Sequence, residues 1–145
     1  TGVDIVQAQV RLAAGEALTE VVRGKPVISG HAIEVRIYAE DPKRFFPSPG
    51  TLVTFRPPSA PDVRIDTGYA EGCEVTAHYD PLVAKVIVHA PTRDRAIARM
   101  REALADFQIT GIKTNIPFAQ AVLASEPFMA GAPHTGLAVT LTAAA

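Results

Sequence analysis

His31-Ala32-Ile33-Glu34-Val35-Arg36-Ile37-Tyr38-Ala39-Glu40-Asp41-Pro42 alternates apolar and polar residues with a period of two, the pattern of a β-strand whose successive side chains point to opposite faces. Ile33, Val35, Ile37 and Ala39 share one face, and Glu34, Arg36, Tyr38 and Glu40 share the other. The apolar face requires a core. On the polar face, an arginine between acidic and phenolic neighbours on a stiff strand has its planar guanidinium fork oriented in advance, which suits an oxyanion or a carboxylate. The same alternation fits a solvated face laced by cross-strand ion pairs, and periodicity leaves both readings open.

Outward from this strand, Asp41-Pro42 stops the alternation, and six prolines between Pro42 and Pro61 make that segment mostly loop and turn, with a short strand at 51–55. Short alternating runs at 63–66 and 74–77 follow, the marks of an antiparallel sheet. Residues 82–89 are apolar apart from Lys85 and His89, which predicts a covered, central strand. Thr92 can cap the strongest helix of the chain, with Ala96, Ile97, Met100, Leu104 and Phe107 on one stripe. On the N-terminal side, Asp4 or Thr1 can cap a helix that Gly15 ends, and residues 16–29 read as a connector with a short strand. Past the long helix, 111–114 read as a connector or edge strand, Asn115 as the cap of a helix with Pro117 in its first turn, and the alanine-rich end beyond Leu137 as frayed. The expected fold class is α+β: an antiparallel sheet partly curled into a half-barrel, of the barrel-sandwich-hybrid kind, with helices packed on one side.

A chain of 145 residues, 48% hydrophobic and 20% charged, can build one core. Its net charge of −1 gives no general attraction to nucleic acid or to an anionic membrane. The arginines at 93, 95, 99 and 101 are interleaved with acids and lack aromatic companions, as on a solvated helix face. No run approaches the roughly 20 apolar residues of a membrane span. The single cysteine, Cys73, excludes an intrachain disulfide and points to the reducing cytoplasm. The four histidines, His31, His78, His89 and His134, are scattered rather than paired, so no metal site is expected. Neither phosphate-binding glycine motif is present, nor is a Gly-x-Ser-x-Gly nucleophile elbow.

The run from Gly30 to Pro42, followed by Phe46-Pro47-Ser48-Pro49-Gly50, resembles the C-terminal domain of biotin carboxylase. Further matches lie in that family's order at Thr1-Gly2-Val3-Asp4, at His78-Tyr79-Asp80-Pro81 continuing to Lys85, at Arg93-Asp94-Arg95-Ala96-Ile97, and at Gly111-Ile112-Lys113-Thr114-Asn115. The family includes the biotin carboxylase parts of acetyl-, propionyl- and methylcrotonyl-CoA carboxylases and of pyruvate carboxylase. The resemblance implies that residues 1–145 form one such domain, with the helix at 1–15 at the junction with an ATP-grasp half that precedes Thr1. It also implies that Arg36 contacts the ureido group of biotin and that Glu34, Tyr38 and Glu40 orient it. Thr135 would align with a segment that closes over the adenine edge of the nucleotide, and Arg64 with a strand near a subunit contact. His78, Asp80 and Lys85 match a family block too, although Tyr79-Asp80-Pro81 reads as turn chemistry before a buried strand. Tyr38 stands where the family often has asparagine, which favours the α-type subunit of an acyl-CoA carboxylase of fatty acid metabolism.

The cofactors so implied are ATP and Mg in the complete enzyme, with biotin as a substrate on a carrier domain and nothing held tightly by this segment. The chain lacks the Met-Lys-Met setting of a biotin-bearing lysine. The implied partners are the ATP-grasp half, the biotin carrier domain, a carboxyltransferase subunit and a second copy in a homodimer. Alone, the segment is expected to be inactive. A rival reading makes it a non-catalytic module for dimerisation and assembly, with Arg36 serving structure.

Overall fold

Asp4 and Thr92 both cap helices. The Asp4 carboxylate accepts a hydrogen bond from the Gln7 amide at 2.8 Å, and the Thr92 hydroxyl accepts one from the Arg95 amide at 3.4 Å, each satisfying an amide that has no partner inside the helix. The computed structural model describes residues 1–143, and the chain divides into one unit over Thr1–Gly30 and a larger one from His31 onward.

In the first unit, Asp4 opens α1 (Ile5–Ala13). The helix ends at Gly15, whose φ of +95° is the left-handed conformation glycine adopts without steric cost. Its amide donates to the Leu12 carbonyl and that of Glu16 to the Arg11 carbonyl, the paired bonds of a Schellman termination. None of the residues of α1 is buried; Ile5, Val6 and Val10 on its apolar side are all exposed. The connector expected at 16–29 contains a helical turn, α2 (Leu18–Val21), and no strand.

The larger unit is built from β1 (His31–Tyr38), β2 (Gly50–Thr51), β3 (Thr54–Arg56), β4 (Val63–Asp66), β5 (Glu74–Val75), β6 (Leu82–Ala90), α3 (Arg93–Asp106), β7 (Gln108–Thr110), α4 (Ile116–Ala124), α5 (Glu126–Met129) and α6 (Leu137–Ala143). This is the expected mixture of helices and antiparallel strands. The pairing differs from one curled sheet. The strands form three separate antiparallel sheets, β1-β6-β4, β2-β5 and β3-β7, and among the described residues they close no barrel. The pairs β2-β5 and β3-β7 extend for only two and three residues a strand, because the proline-rich segment removes amide donors that a longer ladder needs.

β6 is the central strand of its sheet, as its apolar composition predicts. Ile37 of β1 and Val86 and Val88 of β6 are fully buried on one face, in a single cluster with Ala96, Met100 and Leu104 of α3. Phe55 and Phe107 extend that core with an edge-on ring contact at 5.3 Å. Gly111 has a structural requirement of its own: with φ at +96°, a Cβ there would lie 2.0 Å from the Thr51 carbonyl oxygen. Leu137–Ala143 form a helix with Leu137 buried; of the end expected to fray, residues 144 and 145 lie outside the described residues.

Candidate functional site

β1 lies at the edge of its sheet, and the ladders fix what surrounds its polar face. Glu34 is opposite Ile87 of β6, and Arg64 of β4 is opposite Ile87 from the other side; Arg36 and Asp66 flank Lys85 in the same way. Two rows, Glu34-Ile87-Arg64 and Arg36-Lys85-Asp66, therefore cross the face turned away from α3. The register shifts between Ile37 and Tyr38, so that Ile37 faces Ala84 while Tyr38 faces Leu82. This irregularity leaves Val83 buried as the extra residue.

Arg36 is exposed, with its guanidinium carbon 5.3 Å from the centroid of the Tyr38 ring, within the range of a cation–π contact. Of the three residues expected to orient Arg36, the structure brings Tyr38 to it. Among the described residues neither Glu34 nor Glu40 forms an ion pair with it. Glu34 is exposed. Glu40 is partly buried in a bridge to Pro47, and burial pushes its carboxyl pKa up. Lys85, half-buried on the neighbouring strand, repeats the positive charge of Arg36. The planar fork of Arg36 thus has an aromatic backing, a cationic neighbour and no carboxylate partner, and it can accept a planar ligand that carries or develops negative charge.

The remaining candidates lie elsewhere. Arg64 is exposed and donates from Nε to Asp66 at 2.8 Å, a bond that holds the Asp66 carboxyl below its ordinary value. Thr135 is exposed in the turn before α6. Asp80 accepts from the Leu82 amide at 2.8 Å, the turn chemistry its sequence context suggests, and His78 is exposed in the same turn. Cys73 is half-buried and packed against the core. Among the described residues, no three of His, Cys, Asp or Glu come together to hold a metal ion, and no helix is long and apolar enough to cross a membrane.

A residue read only as a helix cap has a different position. The Asn115 side chain makes no cap bond to α4. Its Oδ1 accepts from the Tyr38 amide at 2.9 Å, and its Nδ2 donates to the Arg36 carbonyl at 3.0 Å. Its own amide donates to the Tyr38 carbonyl at 3.2 Å. Nearby, Lys113 donates to Asp41 at 2.7 Å from Nζ and to the Ser48 hydroxyl at 3.0 Å from its backbone. The Lys113 bond, helped by the Arg44 and Lys43 amides, holds the Asp41 carboxyl far below the usual carboxylate range.

This α+β module, with an arginine displayed on a rigid edge strand, has many relatives. The family described as the biotin carboxylase C-terminal domain matches residues 34–138. The chain is 49% identical over 135 residues to a biotin carboxylase of Halalkalibacterium halodurans, covering 93% of this chain and 30% of that protein. It is 46% identical over 132 residues to the alpha3 subunit of a biotin-dependent acyl-coenzyme A carboxylase of Mycobacterium leprae, covering 90% of this chain and 22% of that subunit. Its structure matches the biotin carboxylase domain of Hydrogenobacter thermophilus 2-oxoglutarate carboxylase, solved as a dimer with MgADP, ADP and bicarbonate, with a TM-score of 0.84 and 39% identity over 98% of this chain and 32% of that one. The chain belongs to the biotin carboxylase C-terminal domain family. It spans less than a third of each of these relatives.

Proposed function

We propose that this chain is the C-terminal part of an ATP-dependent biotin carboxylase within an acyl-CoA carboxylase, and that Arg36 is its contribution to catalysis. The observation that carries the reading is the state of Arg36: exposed on a stiff strand, stacked on Tyr38 and without a carboxylate partner. In the complete enzyme, ATP and bicarbonate give ADP and carboxyphosphate, which breaks down to CO2 and phosphate. Phosphate, or a carboxylate-assisted base, would take the N1′ proton of biotin, and N1′ then forms the bond to CO2. As the proton leaves, negative charge develops on the ureido oxygen. A guanidinium beside that oxygen would stabilise the charged form more than the neutral one, the kind of interaction that lowers a barrier.

Biotin would arrive on a carrier domain, and the groups that hold ATP, Mg and bicarbonate would belong to an ATP-grasp half. The segment by itself is then inactive, and a carboxyltransferase subunit takes the product onward. Tyr38, whose ring backs the guanidinium, orients Arg36, and Thr135 contributes to the nucleotide edge. Arg64, exposed on the same sheet face, belongs to a contact between two copies, a reading supported by the dimer of the Hydrogenobacter relative. Work in the cytoplasm fits the single cysteine.

The test is Arg36→Ala in the complete enzyme, assayed separately for biotin carboxylation and for bicarbonate-dependent ATP cleavage without biotin. Carboxylation is expected to fall about a hundredfold, the loss typical of an oxyanion-stabilising donor, while ATP cleavage and the thermal midpoint hold. If both activities persist, Arg36 is structural and the assembly reading takes its place.

A further inference from the structure

We infer that Asn115 is the positioning residue for Arg36: its side-chain amide completes the open edge of β1 and thereby fixes the backbone from which Arg36 projects. The inference rests on the catalytic reading of Arg36. An edge strand leaves a row of amides and carbonyls without ladder partners, and buried backbone groups left in that state are costly. On β1 the Arg36 carbonyl and the Tyr38 amide, which flank the fully buried Ile37, both bond to the one side chain of Asn115. The Asn115 amide adds a third bond, to the Tyr38 carbonyl.

The chemistry fixes the orientation of the amide group. Its oxygen must meet the Tyr38 N–H and its nitrogen the Arg36 carbonyl, because the reverse arrangement would set donor against donor and acceptor against acceptor. One asparagine thus acts as a short piece of partner strand. With Ile37 locked in the core on one side and the two flanking peptide planes held by Asn115, the Cα–Cβ direction of Arg36 has little freedom left. The same bonds hold the Tyr38 backbone, and with it the ring against which the guanidinium rests.

Asn115 is the one buried polar residue among the described residues, at 8% exposure. Helix capping does not account for its side chain, which makes no bond to the amides of α4. Serine, threonine or aspartate would serve a cap as well as asparagine. Bridging this carbonyl and this amide takes a side chain that carries a donor and an acceptor on one carbon, as the amide does.

The test is a double-mutant cycle in the complete enzyme, using Asn115→Ala, Arg36→Ala and the double variant. Asn115→Ala is expected to lower kcat for biotin carboxylation by about ten- to a hundredfold, as loss of positioning does, and to leave bicarbonate-dependent ATP cleavage near wild type. In the Arg36→Ala background the same change should have almost no further effect on carboxylation, since the group it positions is gone. Multiplicative losses in the double variant overturn the inference, because a merely structural asparagine would damage both backgrounds alike. Should Asn115→Ala fold poorly, Asn115→Asp preserves the volume and the acceptor. Its carboxyl can donate to the Arg36 carbonyl only when protonated, so its activity relative to wild type should rise as pH falls; a flat ratio counts against the inference. If Arg36→Ala leaves carboxylation intact, the catalytic reading itself is wrong. If Arg36→Ala abolishes it and Asn115→Ala does not lower it, only the positioning role is.

Discussion

The two faces of β1 are made from alternate residues of one strand, yet they answer to different demands. Ile37 is sealed, with an exposure of 0%, and shares its core with α3. Arg36, one peptide bond away, stands in solvent against Tyr38. On the proposed reading of Arg36, a rigid scaffold and a reactive group are one piece of chain: the apolar face fixes the strand, and the polar face would use that fixity. Substitutions on the two faces should therefore separate stability from chemistry.

The largest effect is expected on the buried face. Ile37→Ala removes a fully buried side chain and should cost about 2 to 5 kcal/mol of folding stability, read from the midpoint of urea unfolding. Per folded molecule, the carboxylation rate should fall far less than it does for Arg36→Ala. A variant that keeps its stability and loses its chemistry would break the division between the faces.

Arg36→Lys sharpens the same comparison from the polar side. Lysine keeps the charge and replaces the planar fork by a point charge on a flexible stem. Carboxylation should stay at least about tenfold below wild type, a barrier increase of roughly 1.4 kcal/mol, with unfolding unchanged. Full activity in Arg36→Lys would mean that charge alone is used and that the fixed geometry of the strand is irrelevant to it.

A third expectation concerns what anchors the loop after β1. Asp41 is bonded by Lys113 and by the Arg44 and Lys43 amides, and its folded pKa is depressed. For a carboxyl lowered by folding, the stabilisation is complete above its unfolded value of about 3.9 and is lost as pH falls through the folded value. Asp41→Asn should thus lower the thermal midpoint at pH 7, and the gap from wild type should narrow as pH drops below 4. A gap that is constant with pH would show that Asp41 acts through shape and not through charge.

The alternation at 31–40, the central place of β6, the Thr92 cap and the buried stripe of α3 were all legible because each depends on local spacing and on one face seeking burial. The place of Arg36 on the exposed face of β1 was legible for the same reason; the role proposed for it comes from the resemblance of the blocks around it, since spacing alone fits a solvated face equally well. The division into three small sheets was not, since strands of two or three residues carry no period to read and their partners come from distant segments. β7 was hidden by the same shortness. Asn115 was misleading: it stands directly before a helix and has the composition of a cap, whereas its side chain bonds to a strand 77 residues earlier. The only hint was Pro117, which occupies the first turn of α4 and already removes one amide that a cap would have to satisfy.

The smallest effect on stability is expected at Arg64, at the far end of the polar row. Its ion pair with Asp66 is exposed, with 73% and 41% of the two side chains in solvent, and pairs so placed are screened by water and salt. Arg64→Ala should leave the thermal midpoint where it is and leave bicarbonate-dependent ATP cleavage per subunit intact. If Arg64 belongs to a contact between copies, the change appears instead in the sedimentation of the complete enzyme as a shift toward monomer, and Arg64→Glu shifts it further by adding a negative charge beside Asp66. An unaltered dimer in both variants would remove Arg64 from that contact, and its ion pair would then be a solvated cross-residue pair on the open side of β4. In neither case would the core face respond, because Ile65, the next residue along β4, points the other way into the cluster around Val86.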